Sequence, residues 1–84
     1  MNGYYITFRS VTPAQRGEIL LNKFGYRCSL QRTPRWMEEK GCGYCLRLYT
    51  DRIGETVGLL RKNNISYGKV YLLHPGGETE EIRV

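Results

Sequence analysis

The chain has 84 residues, 40% of them hydrophobic and 25% charged, which predicts one small globular domain over 1–84 and excludes a disordered tail. Its formal net charge of +5 favours acidic partners, and no apolar run nears the roughly 20 residues of a membrane helix, so no membrane partner is expected. The opening MNGYYITFRS lacks the basic, apolar and small-residue order of an export signal, so a cytoplasmic location is expected.

YYITF at 4–8 alternates, with Tyr4, Ile6 and Phe8 on one side of a strand and Tyr5 and Thr7 on the other. In the following SVTPAQ, Thr12 suits a helix cap, Pro13 the first helical position and Gln15 the far side of a capping box. That helix is expected to bury Ile19, Leu20 and Phe24 and to stop at Gly25. RCSLQ at 27–31 predicts a second strand with Cys28 and Leu30 on one face. A long connection, TPRWMEEKG at 33–41, leads to a third strand near 44–49, and connections of that length tend to carry function. Thr50 or Asp51 is placed to cap a second helix that buries Ile53, Val57 and Leu60. Within it, the four-residue spacing of Gly54 and Gly58 predicts one side lying close against the sheet. KVYLL at 69–73 predicts a fourth strand, and the tail 74–84 either an extra edge strand or a frayed end. The order βαββαβ predicts an α+β, ferredoxin-like fold: a four-stranded antiparallel sheet with two helices on one face.

Three cysteines in a chain of this kind point to thiol chemistry or metal binding rather than to a disulfide framework. In GCGYC at 41–45, Gly41 and Gly43 flank Cys42, which lets the backbone turn tightly and aim free amides at its sulfur. Arg35, Lys40 and Arg47 are close enough in sequence to supply the positive charge that favours a thiolate. Cys45 comes within disulfide reach of Cys42 if the segment turns, but not if it is extended; its bland reading is a small strand residue. A thioredoxin-type redox pair needs its second cysteine to run into a helix whose N-terminus stabilises the first thiolate, whereas LRLYT reads as strand. Zinc needs four ligands; Cys28, Cys42, Cys45 and His74 are the available set but lack a second C-x-x-C, so no metal and no other cofactor is expected.

The rival class is an RNA-recognition (RRM-like) module binding single-stranded nucleic acid. KGCGYCLR at 40–47 partly matches the RNP1 pattern of such modules, and Tyr5 offers a stacking ring. Strand parity opposes the match: the RNP1 register turns Leu46 and Leu48 outward and Arg47 into the core, which is costly. With the leucines inward, Cys45, Arg47 and Tyr49 face out instead. Nucleic acid is therefore not the expected partner, and a module stacking bases on Tyr5 and Tyr49 stays as the alternative.

The stretch YYITFRSVTPAQRGEILLNKFGYRCSLQRTPRWMEEKGCGYCLRL resembles the small bacterial Se/S carrier protein-like family. The likeness rests on the opening strand and helix, on Thr33-Pro34-Arg35 after the second strand, and on Cys42-Gly43 before the third. It covers residues 4–73 and leaves HPGGETEEIRV outside. It implies a cytoplasmic carrier, rather than an enzyme, whose Cys42 holds sulfane sulfur or selenium as a persulfide or selenosulfide. Cys42 and Gly43 are the implied functional pair, with Arg35 as electrostatic support; Cys28 and Cys45 lie outside the family's pattern. On this reading the Cys42 thiolate takes its cargo from a donor protein such as a cysteine desulfurase and hands it to an acceptor protein. Gly41 and Gly43 give the donor access, and Arg35 and Arg47 favour the anionic sulfur. Cys45 is available as a resolving thiol that attacks the loaded Cys42 and leaves a disulfide. A thiol redox protein using Cys42 and Cys45 is the second alternative.

Overall fold

The computed structural model describes residues 2–33 and 43–84. Its elements are β1 (Asn2–Phe8), α1 (Val11–Lys23), β2 (Arg27–Arg32), β3 (Tyr44–Thr50), α2 (Ile53–Lys62), β4 (Val70–Leu73) and β5 (Thr79–Ile82). All strand pairings are antiparallel, and the sheet runs β2-β3-β1-β4-β5. The fold is thus α+β, with two helices and five strands among the described residues. The expectation of four strands is corrected at the tail: Gly77 takes φ 89°, a left-handed conformation that closes a short hairpin. The His74 N–H donates to the Glu78 carbonyl at 2.7 Å, and TEEI then pairs with VYLL. No helix among the described residues is long and apolar enough to cross a membrane.

Period-two alternation builds the core. Tyr4, Ile6 and Phe8 of β1 point to the helices together with Leu46 and Leu48 of β3 and Val70 of β4. Val57 and Leu60 of α2 and Ala14 and Leu21 of α1 close over them. The first helix is rotated from the expected face: Ile19 is 68% exposed and Phe24 57%, whereas Ala14, Gly17 and Leu21 are buried. Gly17 explains the rotation. A Cβ there would stand 3.3 Å from Leu46 Cδ1 and 3.4 Å from both Leu60 Cδ2 and Phe8 Cζ, so the helix approaches the core through its smallest residue.

The opposite correction applies to α2. Its Val57 and Leu60 are buried and Ile53 packs against the core, as their spacing predicts. Gly54 and Gly58, however, have nothing within 4 Å of a notional Cβ, so the side carrying them is open rather than pressed to the sheet.

Helix starts also differ from expectation. Ser10 is the N-cap of α1, so Thr12 and Pro13 lie inside the first turn, where the missing proline N–H would be unpaired anyway. Arg52 is the N-cap of α2, and Thr50 Oγ1 instead accepts the Arg52 N–H at 2.9 Å. Both helices stop as Schellman motifs. Gly25 at φ 88° and Asn64 at φ 58° take the left-handed position. The next N–H groups, of Tyr26 and Ile65, reach back to Leu21 and Leu60, each at 2.9 Å.

Candidate functional site

Both helices pack on one face of the sheet, and the strand register fixes what stands on the other. One row across that face is Ser29, Arg47, Tyr5, Tyr71, Glu81; the next is Arg27, Tyr49, Gly3, Leu73, Thr79. Arg47 is the hub. Its guanidinium carbon lies 5.9 Å from the Tyr5 ring centroid and 5.6 Å from that of Tyr49, and its Nη2 donates to the Tyr49 hydroxyl at 2.8 Å.

Of the sequence-predicted site, Arg35, Gly41 and Cys42 lie outside the described residues, as does the connection from Pro34 onward. The described ends of that connection meet: the Thr33 N–H donates to the Gly43 carbonyl at 3.1 Å. Gly43, the residue after Cys42, faces open space where a Cβ would be. Arg47 stands four residues further along β3, roughly 13 Å at the rise of a strand, and is engaged by the two tyrosines.

Cys45 is in extended β3, opposite Thr7 and Gln31 on the helix-free side, yet it has no exposed surface and packs with Tyr5. Burial pushes its thiol above the usual range, with the neighbouring Thr33 side chain pulling the other way. Cys28 lies on the helix side, where its Sγ is 3.6 Å from both the Glu18 carbonyl and Asn22 Oδ1. Burial first, and the Glu18 carboxylate second, push it up to about 11. The sheet therefore separates Cys28 from Cys45, and they cannot share a metal. The His74 ring is taken up by Glu80, Nε2 to Oε1 at 3.0 Å. Among the described residues no group of three or more histidine, cysteine and acidic side chains is arranged to hold a metal ion.

These placements set thiol reactivity. An ordinary cysteine near 9.0 is about a tenth thiolate at pH 8, whereas Cys28 near 11 is about a thousandth. Alkylation of Cys28 in the folded protein is expected to run about 100-fold slower at pH 8 than in the unfolded chain. It should rise about tenfold per pH unit up to about pH 11, as read by peptide mass spectrometry. Equal folded and unfolded rates would show that the Glu18 and Asn22 contacts do not hold the proton.

Sequence reasoning missed Gly3, Tyr71 and Leu73 as partners in the tyrosine patch. The alternation in KVYLL was the available signal, since it sets Tyr71 and Leu73 on one face. No curated protein and no solved structure matches the chain. The family model described as "Putative Se/S carrier protein-like" matches residues 3–72, a span that runs from β1 into β4 and takes in all three cysteines, and the chain belongs to that family.

Proposed function

We propose that this protein carries sulfur or selenium between proteins, with Cys42 as the carrying thiol. One observation carries the reading beyond family membership: the other two cysteines are withdrawn from chemistry. Cys28 keeps its proton up to about pH 11, and Cys45 has no exposed surface. The thiol work of a carrier then falls to Cys42, with Gly41 and Gly43 leaving it approachable and Arg35 supplying positive charge.

In loading, the Cys42 thiolate attacks the outer sulfur of a donor persulfide, such as that of a cysteine desulfurase. A bond forms between Cys42 and the outer atom, the donor's own S–S bond breaks, and the donor leaves as a thiolate, with no oxidant consumed. Delivery is the same exchange in reverse: an acceptor nucleophile takes the outer atom and the Cys42 thiolate leaves. A second exit uses Cys45, which attacks the Cys42 sulfur, expels hydrosulfide or hydroselenide and forms a disulfide that a dithiol must then reduce. The burial and raised pKa of Cys45 favour direct delivery. A reducing cytoplasm suits the direct route, since it keeps the empty thiol ready.

Intact-mass spectrometry of protein purified without reductant tests this. The expected result is an added mass of one sulfur or one selenium atom, removed by dithiothreitol and absent from Cys42→Ser. Iodoacetamide on the folded protein at neutral pH is expected to mark Cys42 first. Loading that persists in Cys42→Ser, or a Cys42 inert to the reagent, would remove it from the mechanism. Cys45→Ser should still load and deliver; loss of delivery alone would select the disulfide exit.

A further inference from the structure

We propose that the helix-free face of the sheet binds single-stranded nucleic acid, with Tyr49 and Tyr71 as stacking rings and Arg27 and Arg47 as phosphate partners. The proposal is independent of the carrier reading, because it uses no cysteine. A groove of about 540 Å³ opens on this face, lined by Gly3, Tyr5, Arg47, Tyr49, Leu73 and His74 among others. Gly3 lets the Tyr49 ring lie close on the sheet, since a Cβ there would stand 3.2 Å from Tyr49 Cε1 and 3.4 Å from Leu73 Cδ2. The groove's walls are pre-set, since Arg47 touches the Tyr5 and Tyr49 rings at once and holds the Tyr49 hydroxyl. Tyr49 is thereby fixed although 42% exposed, so stacking on it costs little further ordering.

Charge selects the occupant. Arg27 and Arg47 lie on adjacent strands β2 and β3, and Tyr49 and Tyr71 on β3 and β4. A phosphate backbone over the β2–β3 side would thus project its bases across the rings. The Arg47 guanidinium stands beside the Tyr5 and Tyr49 rings and gives an anionic oxygen a charged donor. The acidic side chain of this row, Glu81, is neutralised by Lys69 at 3.7 Å. The whole chain carries +5, which raises the local concentration of a polyanion. Rings, hydroxyls and guanidinium groups suit unpaired bases better than they suit the branched aliphatic anchors of a protein partner.

Fluorescence anisotropy with the full chain and a labelled mixed-sequence RNA of about 12 nucleotides tests the proposal, with a duplex of equal length as control. Micromolar binding of the single strand is expected, weakening about sevenfold between about 50 and 200 mM salt if two phosphates are neutralised. Tyr49→Ala should weaken it by about 5- to 150-fold, the range for losing one stacked base. Tyr49→Phe, which keeps the ring, should retain most of the affinity, and Arg47→Lys should lose affinity while keeping the salt slope. Lys62→Ala, on α2, should change nothing. The proposal falls if no binding is seen at low salt, if duplex binds equally well, or if Tyr49→Ala binds as the parent does. It falls equally if sedimentation shows that Tyr49→Ala abolishes pairing between copies of the chain while RNA binding is unaffected.

Discussion

Phe8→Ala is expected to lower stability by about 3–5 kcal/mol, moving the urea midpoint down by roughly 2 M or more. Phe8 is fully buried and sits at the end of β1, where the sheet meets α1. Its Cζ reaches the helix at Gly17, so the ring joins the two layers rather than filling one of them. Removing it costs the transfer free energy of the ring and leaves a cavity that the glycine, with no side chain to move, cannot fill. A domain of this size is stable by only about 5–10 kcal/mol, so the loss takes a large part of the total. A midpoint shift worth less than 1 kcal/mol would mean that α1 slides in to close the gap, and the packing described for Gly17 would not be rigid.

Gly17→Leu is the complementary experiment and is expected to cost about 1–3 kcal/mol. Even a Cβ at this site would lie 3.3 Å from Leu46 Cδ1, and a whole isobutyl group has to displace Leu46, Leu60 and Phe8 together. Gly17→Ala is a finer probe. The gain of roughly 1 kcal/mol in helix propensity opposes a displacement of a few tenths of an ångström at flexible side-chain ends, so a change near zero is expected. Combining Phe8→Ala with Gly17→Leu places the added side chain in the vacated volume. The double variant should therefore lose at least 1 kcal/mol less than the sum of the singles, measured by urea unfolding. Strict additivity would show that the two residues do not share one space.

The pair also shows why one helix face was readable and the other was not. Strand positions follow a period of two, and YYITF has large residues at both parities, but only the Tyr4-Ile6-Phe8 set matches Leu46 and Leu48 across the β1–β3 ladder. The register was therefore open to reading once the leucines were taken as inward. In α1, Ile19, Leu20 and Leu21 are consecutive and so point in three directions about the axis. Size and hydrophobicity favour a face containing Ile19, yet the helix seats itself through Ala14, Gly17 and Leu21 because the closest approach requires a residue without a side chain. The same blindness worked in reverse at Gly54 and Gly58, whose spacing imitates a packing groove while their side of α2 is open. The tail stayed open between an edge strand and a frayed end because TEEI alone is acidic and looks like solvent-facing chain; the strand forms from the turn at Gly77 and from pairing with β4, neither of which is a property of those four residues alone. The candidate thiol site rests on chemistry alone, glycines about a cysteine, because Gly41 and Cys42 lie outside the described residues. Arg47 is five residues downstream of that cysteine and near it in sequence, and alternation across β1 and β3 also sets it against two tyrosines.

The order of strands has one more effect. Arg27 and Arg32 sit on β2 at one margin of the sheet, and Glu80 and Glu81 on β5 at the other. Among the described residues the two margins of the sheet therefore differ in charge, the carboxylates of β5 being partly offset by Lys69 and His74. Two molecules meeting by the β2 margin bring like charges together, which opposes pairing of that edge with its own copy.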